Sequence, residues 1–113
     1  MHPSEDQVTA PVHVESRLGG SRNLLVLAGE IGLDAIGVLY EEAPRLSVAA
    51  GGVDIDWREA QVVSGGCLQV LLALGTALSQ RALTLRAAAD NPKIRQSLEL
   101  AGWSTRFPSG KAS

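Results

Sequence analysis

The residues whose types and spacing come nearest to a chemical site are in the run Val63-Ser64-Gly65-Gly66-Cys67-Leu68-Gln69. Ser64 precedes an apolar stretch with helical periodicity, so its hydroxyl can cap a helix by accepting a hydrogen bond from a backbone N–H two or three residues on. The same helix start, with free N–H groups and the positive end of the helix dipole, suits an anion or a phosphoryl group. Gly65 and Gly66 either shape a tight turn or let a partner's backbone come close. The third glycine and the Lys-Ser/Thr pair of a nucleotide-binding loop are both missing.

Other candidates are weaker because nothing converges on them. Asp54 and Asp56 alternate on a strand and so share a face, the arrangement needed for paired-carboxylate acid–base work or for a metal. No set of His or Cys residues lies near them in sequence, and a solvated strand face is the favoured reading over a metal site. His2 falls in a polar leader and His13 on the polar side of a strand. Cys67 sits in an apolar first turn, where a thiol is buried and inert. The reading is of a chain with no catalytic residues, no metal and no cofactor.

The elements that must position the Ser64 run can be read from hydropathy. Val12, Val14, Ser16 and Leu18 alternate with His13, Glu15 and Arg17, predicting a strand. A turn at Gly19 to Asn23 leads to a second strand, Leu24 to Ala28. Asp34 is placed to cap a first helix with an inner stripe of Ile36, Leu39, Tyr40 and Ala43, with Glu41 and Glu42 facing water and Pro44 kinking or ending it. Val53 to Trp57 alternates as a third strand. A second helix is predicted from about Gly65 to Arg81, and a fourth strand over Leu83 to Ala87. The last helix has Asn91 as cap, Pro92 at its first position, Ile94, Leu98 and Ala101 on its inner face, and Gly102 as its stop. The second helix is apolar over more than one narrow stripe, so it is either deeply buried or shared with a partner.

The bulk numbers bound the function. A chain of 113 residues, 45% hydrophobic and 19% charged, has room for one domain and is not disordered. A net charge of −2 without a dense Lys/Arg cluster argues against nucleic acid as a partner. The N-terminal residues lack the apolar core of a signal peptide, and Val70 to Leu78 is too short to span a bilayer, so a cytoplasmic protein without membrane insertion is expected. A single cysteine excludes an internal disulfide and agrees with a reducing compartment. Residues 1–11 read as a flexible lead, 12–107 as the domain and 108–113 as a flexible tail.

Three motifs in fixed order carry a family resemblance. They are Leu25-Val26-Leu27-Ala28-Gly29-Glu30-Ile31, then Val53-Asp54-Ile55-Asp56 followed eight residues later by Ser64-Gly65-Gly66-Cys67-Leu68-Gln69, then Asn91-Pro92-Lys93-Ile94 closing at Gly102. Together they make residues 12–107 similar to a STAS domain, the domain of sulfate transporters and anti-sigma factor antagonists. The resemblance implies an α/β, STAS-type fold. This is a four-stranded mixed sheet with helices mainly on one face, in the order strand, strand, helix, strand, helix, strand, helix.

It also implies a non-enzymatic bacterial regulatory protein that docks Ser64, Gly65, Gly66 and Gln69 onto a kinase-like anti-sigma factor or another signalling protein. In anti-sigma factor antagonists the helix-opening segment reads Asp, then a phosphorylatable Ser or Thr, two small residues and Leu. Counted from Asp56, Ser64 stands at the Asp position and Gly65 at the phosphoacceptor position. Ser64 is therefore the candidate phosphorylation site, one residue early, and docking without the standard phospho-switch is expected. The alternative implied by the same resemblance is a subunit of a phospholipid-transport ABC complex, supporting its ATPase. A homodimer is left open.

Overall fold

The computed structural model describes residues 12–88 and 91–108. The lead expected at 1–11 and, Pro108 apart, the tail expected at 108–113 lie outside these residues. The elements are β1 (His13–Arg17), β2 (Arg22–Ile31), α1 (Leu33–Val48), β3 (Gly52–Val63), α2 (Gly65–Ser79), β4 (Leu85–Ala87) and α3 (Pro92–Ala101). Strands lie side by side in the order β1-β2-β3-β4. β1 pairs antiparallel with β2, while β2, β3 and β4 run parallel. This is the fold class expected from the sequence.

The core follows from alternation. Leu25, Leu27 and Ile31 of β2, Val53, Ile55 and Trp57 of β3, and Leu85 and Ala87 of β4 are buried on one sheet face. Leu39 and Leu46 of α1, Leu71, Leu74 and Leu78 of α2, and Ile94 and Leu98 of α3 cover that face. Trp57 meets Phe107 at 5.7 Å between ring centroids with the planes tilted by 54°, a favourable edge-tilted pair that seals the end of the core. The opposite face keeps the alternate residues, among them Glu15, Arg17, Arg22, Asp54, Asp56 and Arg86, at or near the solvent.

The structure corrects several expectations about boundaries. β2 and β3 extend well past the predicted Leu24–Ala28 and Val53–Trp57, and their parallel register shifts between Val26 and Ala28 and again between Gly29 and Glu30. Bulges reset the period of two, which is why Trp57, Ala60 and Val63 are all buried although their spacing is not that of a plain strand. β4 begins at Leu85, since Arg81 to Thr84 form the turn out of α2, with Ala82 at φ 61°. At the exposed ends of the β1 alternation, Val12 and Leu18 lie outside the strand and are half-exposed.

Asp34 does not cap α1; Gly32 takes that position without a side-chain hydrogen bond, and Asp34 lies in the first turn, where a carboxylate is favoured by the helix dipole. Pro44 does not end α1 either, and the helix runs on to Val48. The carbonyl that loses its donor to Pro44 belongs to Tyr40, an exposed residue, while buried Leu46 beyond the proline fastens the last turn to the core. Ala101 is exposed, leaving Ile94 and Leu98 as the buried stripe of α3.

The ends of α3 match expectation. Asn91 caps it by accepting from the N–H groups of Lys93 and Ile94, and Gly102 closes it at φ 78°. Asn91 is also buried, and its amide donates to the carbonyls of Trp57 and Ala60, both at 2.8 Å. One side chain thus ties α3 to the bulged stretch of β3.

Candidate functional site

Ser64 follows β3 directly and opens α2. Its backbone N–H donates to the Ile31 carbonyl at 2.8 Å, and its hydroxyl oxygen accepts from the Cys67 N–H at 3.3 Å. The Cys67 thiol is buried and donates to the Gly32 carbonyl at 3.3 Å. These bonds lash the start of α2 to the β2–α1 junction, so that the carboxyl ends of two parallel strands and the starts of two helices share one edge of the molecule. Open α/β sheets place their sites at such an edge.

Ser64 is half-buried there, whereas Gly65, Gly66 and Gln69 are exposed. The hydroxyl has the capping role that its position suggested. A Cβ added at Gly65 would meet nothing within 4 Å, and its φ is not in the left-handed region. A Cβ at Gly66 would come to 2.9 Å from the Ile36 Cδ1, the mobile tip of a half-buried side chain. Neither glycine is demanded by its own backbone. Gly66 instead allows α1 and α2 to approach closely.

That approach leaves a groove of about 410 Å³ between the two helices. Ile36, Tyr40 and Ala43 form its α1 wall, and Gly66, Gln69 and Ala73 its α2 wall. The α1 wall was missed in the sequence, where Ile36, Leu39, Tyr40 and Ala43 read as one inner stripe. Only Leu39 of the four is buried; Tyr40 is 65% exposed. The available signal was width, because Leu33 and Val48 extend the apolar surface of α1 beyond what one buried stripe requires.

The other candidates are not brought to this edge. Asp54 and Asp56 are on the open sheet face, and both are engaged. Asp54 accepts from Arg22 at 2.7 Å and from Arg86 at 3.0 Å; partial burial raises its pKa, but hydrogen bonds from Arg86 and Arg22 outweigh that and leave it lowered. The Arg58 hydrogen bond holds the Asp56 carboxyl below its ordinary value. His13 bonds Glu15 on the same face. Among the described residues, no three His, Cys, Asp or Glu side chains gather in a metal-binding group, and no helix is long and apolar enough to cross a membrane.

The fold is of the STAS type, an α/β four-stranded mixed sheet with helices covering one face. The anti-sigma factor antagonist SpoIIAA in its unphosphorylated form is similar in structure, with a TM-score of 0.74 at 11% sequence identity, over 88% of this chain and 89% of that one. The Bacillus cell fate determinant SpoIIAA in the phosphorylated form is similar too, with a TM-score of 0.65 at 12% identity, over 88% and 92% of the two chains. No protein-family model matches the sequence, and no curated protein matches it. The likeness is one of fold.

Proposed function

We propose that this chain is a non-enzymatic bacterial regulatory protein that docks the β3–α2 edge, Ser64, Gly65, Gly66 and Gln69, onto a kinase-like or signalling partner without a phosphorylation switch. The observation that carries this reading is the state of the two residues at the helix start. The Ser64 hydroxyl is half-buried and accepts from Cys67 N–H, while Gly65 next to it is exposed and has no side chain to modify. Space at Gly65 is free, so the fold itself does not forbid a hydroxyl there. The missing hydroxyl is not imposed by the fold, which supports reading it as loss of the switch with the surface kept. The shared fold with an anti-sigma factor antagonist supports the class of partner.

The test is capture of partners by the tagged chain, followed by incubation with the captured kinase-like protein and ATP. Constitutive binding, with Ser64 unmodified by mass spectrometry, is the expected result. Stoichiometric phosphate on Ser64, together with weaker binding by Ser64→Asp, would overturn it. The same capture separates the alternative role, since an ATPase recovered with a permease identifies a lipid-transport subunit built on the same edge.

A further inference from the structure

The α1–α2 groove is bounded unevenly by charge. No charged residue occurs anywhere on α2, from Gly65 to Ser79. At 100° per residue, the order around α1 moving away from α2 is Ile36, then Tyr40, Leu33 and Pro44, then Gly37 and Val48, and only then Glu41 and Asp34. Leu33 and Val48 are 80% and 75% exposed. The apolar surface thus continues out of the groove over the shoulder of α1 and ends at two carboxylates. Neither Asp34 nor Glu41 has a salt bridge or hydrogen bond from its side chain among the described residues, whereas nearby Glu42 is paired with Arg45 and accepts from Ser16.

We infer that this groove receives an amphipathic helix of the protein partner, with its apolar stripe between α1 and α2 and Lys or Arg on the flank that overhangs Glu41 and Asp34. The inference rests on the docking reading above and adds the chemistry of what docks. A groove between two helices, with small residues on one wall, is shaped for the apolar ridge of a third helix. Unpaired acids beyond its margin fit a basic flank and disfavour an acidic one. A symmetric pairing of α1 on α1 from a second copy would set these acids against each other.

The probes are two designed amphipathic peptides with the same leucine stripe, one flanked by lysines and one by glutamates, titrated into the isotope-labelled full chain and followed by backbone amide NMR. The lysine peptide should shift α1 and α2 resonances and bind about tenfold tighter than the glutamate peptide, a difference that two partly exposed ion pairs can supply. The double variant Asp34→Lys, Glu41→Lys should reverse the preference, and Ala73→Arg should abolish binding of both with an unchanged melting temperature. Equal affinity for the two peptides, shifts confined to other surfaces, or self-association through this face would overturn the inference. Partner capture separates the two levels. If Gly66→Arg loses the partner while the double lysine variant retains it fully, the docking reading stands and the basic-helix inference falls; if Gly66→Arg also retains it, the docking reading falls.

Discussion

The open face of the sheet and the α1–α2 face are both solvent-accessible, yet they handle charge in opposite ways. On the sheet face, Asp54 pairs with Arg22 and Arg86, Asp56 with Arg58, and Glu15 with both Arg17 and His13. Those charges are satisfied within the chain. The α1–α2 face has an apolar groove, exposed Tyr40 and Leu33, and two acids with no side-chain partner among the described residues. A surface that satisfies its own polar groups has little to gain from being covered, whereas exposed apolar area with unpaired charge at its margin gains on association. The contrast supports the proposed docking face independently of any relative.

Both faces rest on one core, so the largest expected effect damages them together. Leu71→Ala or Leu98→Ala should each cost about 2–5 kcal/mol, since both side chains are wholly buried and truncation leaves a cavity. Denaturant unfolding checks this, and an unchanged midpoint in both variants would reject the assigned core. Next in size, Asp54→Ala leaves Arg22 and Arg86 without their shared acceptor and should cost about 1–2 kcal/mol, with partner binding unaffected. Loss of binding at unchanged stability would erase the division between the faces.

The same carboxylate makes a pH prediction. The pKa of Asp54 is lowered in the folded state, so its contribution to stability is fully present above its ordinary value of 3.8 and is lost as pH falls through the folded value. Melting temperatures measured between pH 7 and pH 2 should fall at the acid end, and less steeply in Asp54→Asn. An identical slope in that variant would show that Asp54 is not a contributor. The smallest effect is expected at Gly65→Ser, within about 0.5 kcal/mol of the parent, because the new side chain enters open space. A marked loss of stability would mean that the backbone needs glycine there, and that the missing hydroxyl says nothing about regulation.

Much of the fold was legible because its signals are local. Asn91, Pro92 and Gly102 delimit α3 through capping chemistry that involves only neighbours in sequence, and Ser64 caps α2 in the same way. The bulged register of β2 on β3 was not legible, since it depends on which strand lies alongside. The course of α1 through Pro44 was hidden for a related reason. Local propensity says that proline breaks a helix, but the burial of Leu46 beyond it holds the last turn on the core.

The site divides along the same line. From the sequence came the edge at Ser64, Gly65, Gly66 and Gln69 and the excess apolar width of α2, which follow from residue type and spacing and are fixed before the chain folds. That Gly65 stands at a phosphoacceptor position is what the resemblance to the STAS domain implies. Only the tertiary structure decided that Asp54 is neutralised by arginines from the two neighbouring strands, and that Ile36 and Tyr40 of α1 join Gly66 and Gln69 of α2 in one groove. Such contacts join residues about 30 positions apart in the chain, and pairings at that range are set by how strands and helices pack and leave no periodic trace in the sequence.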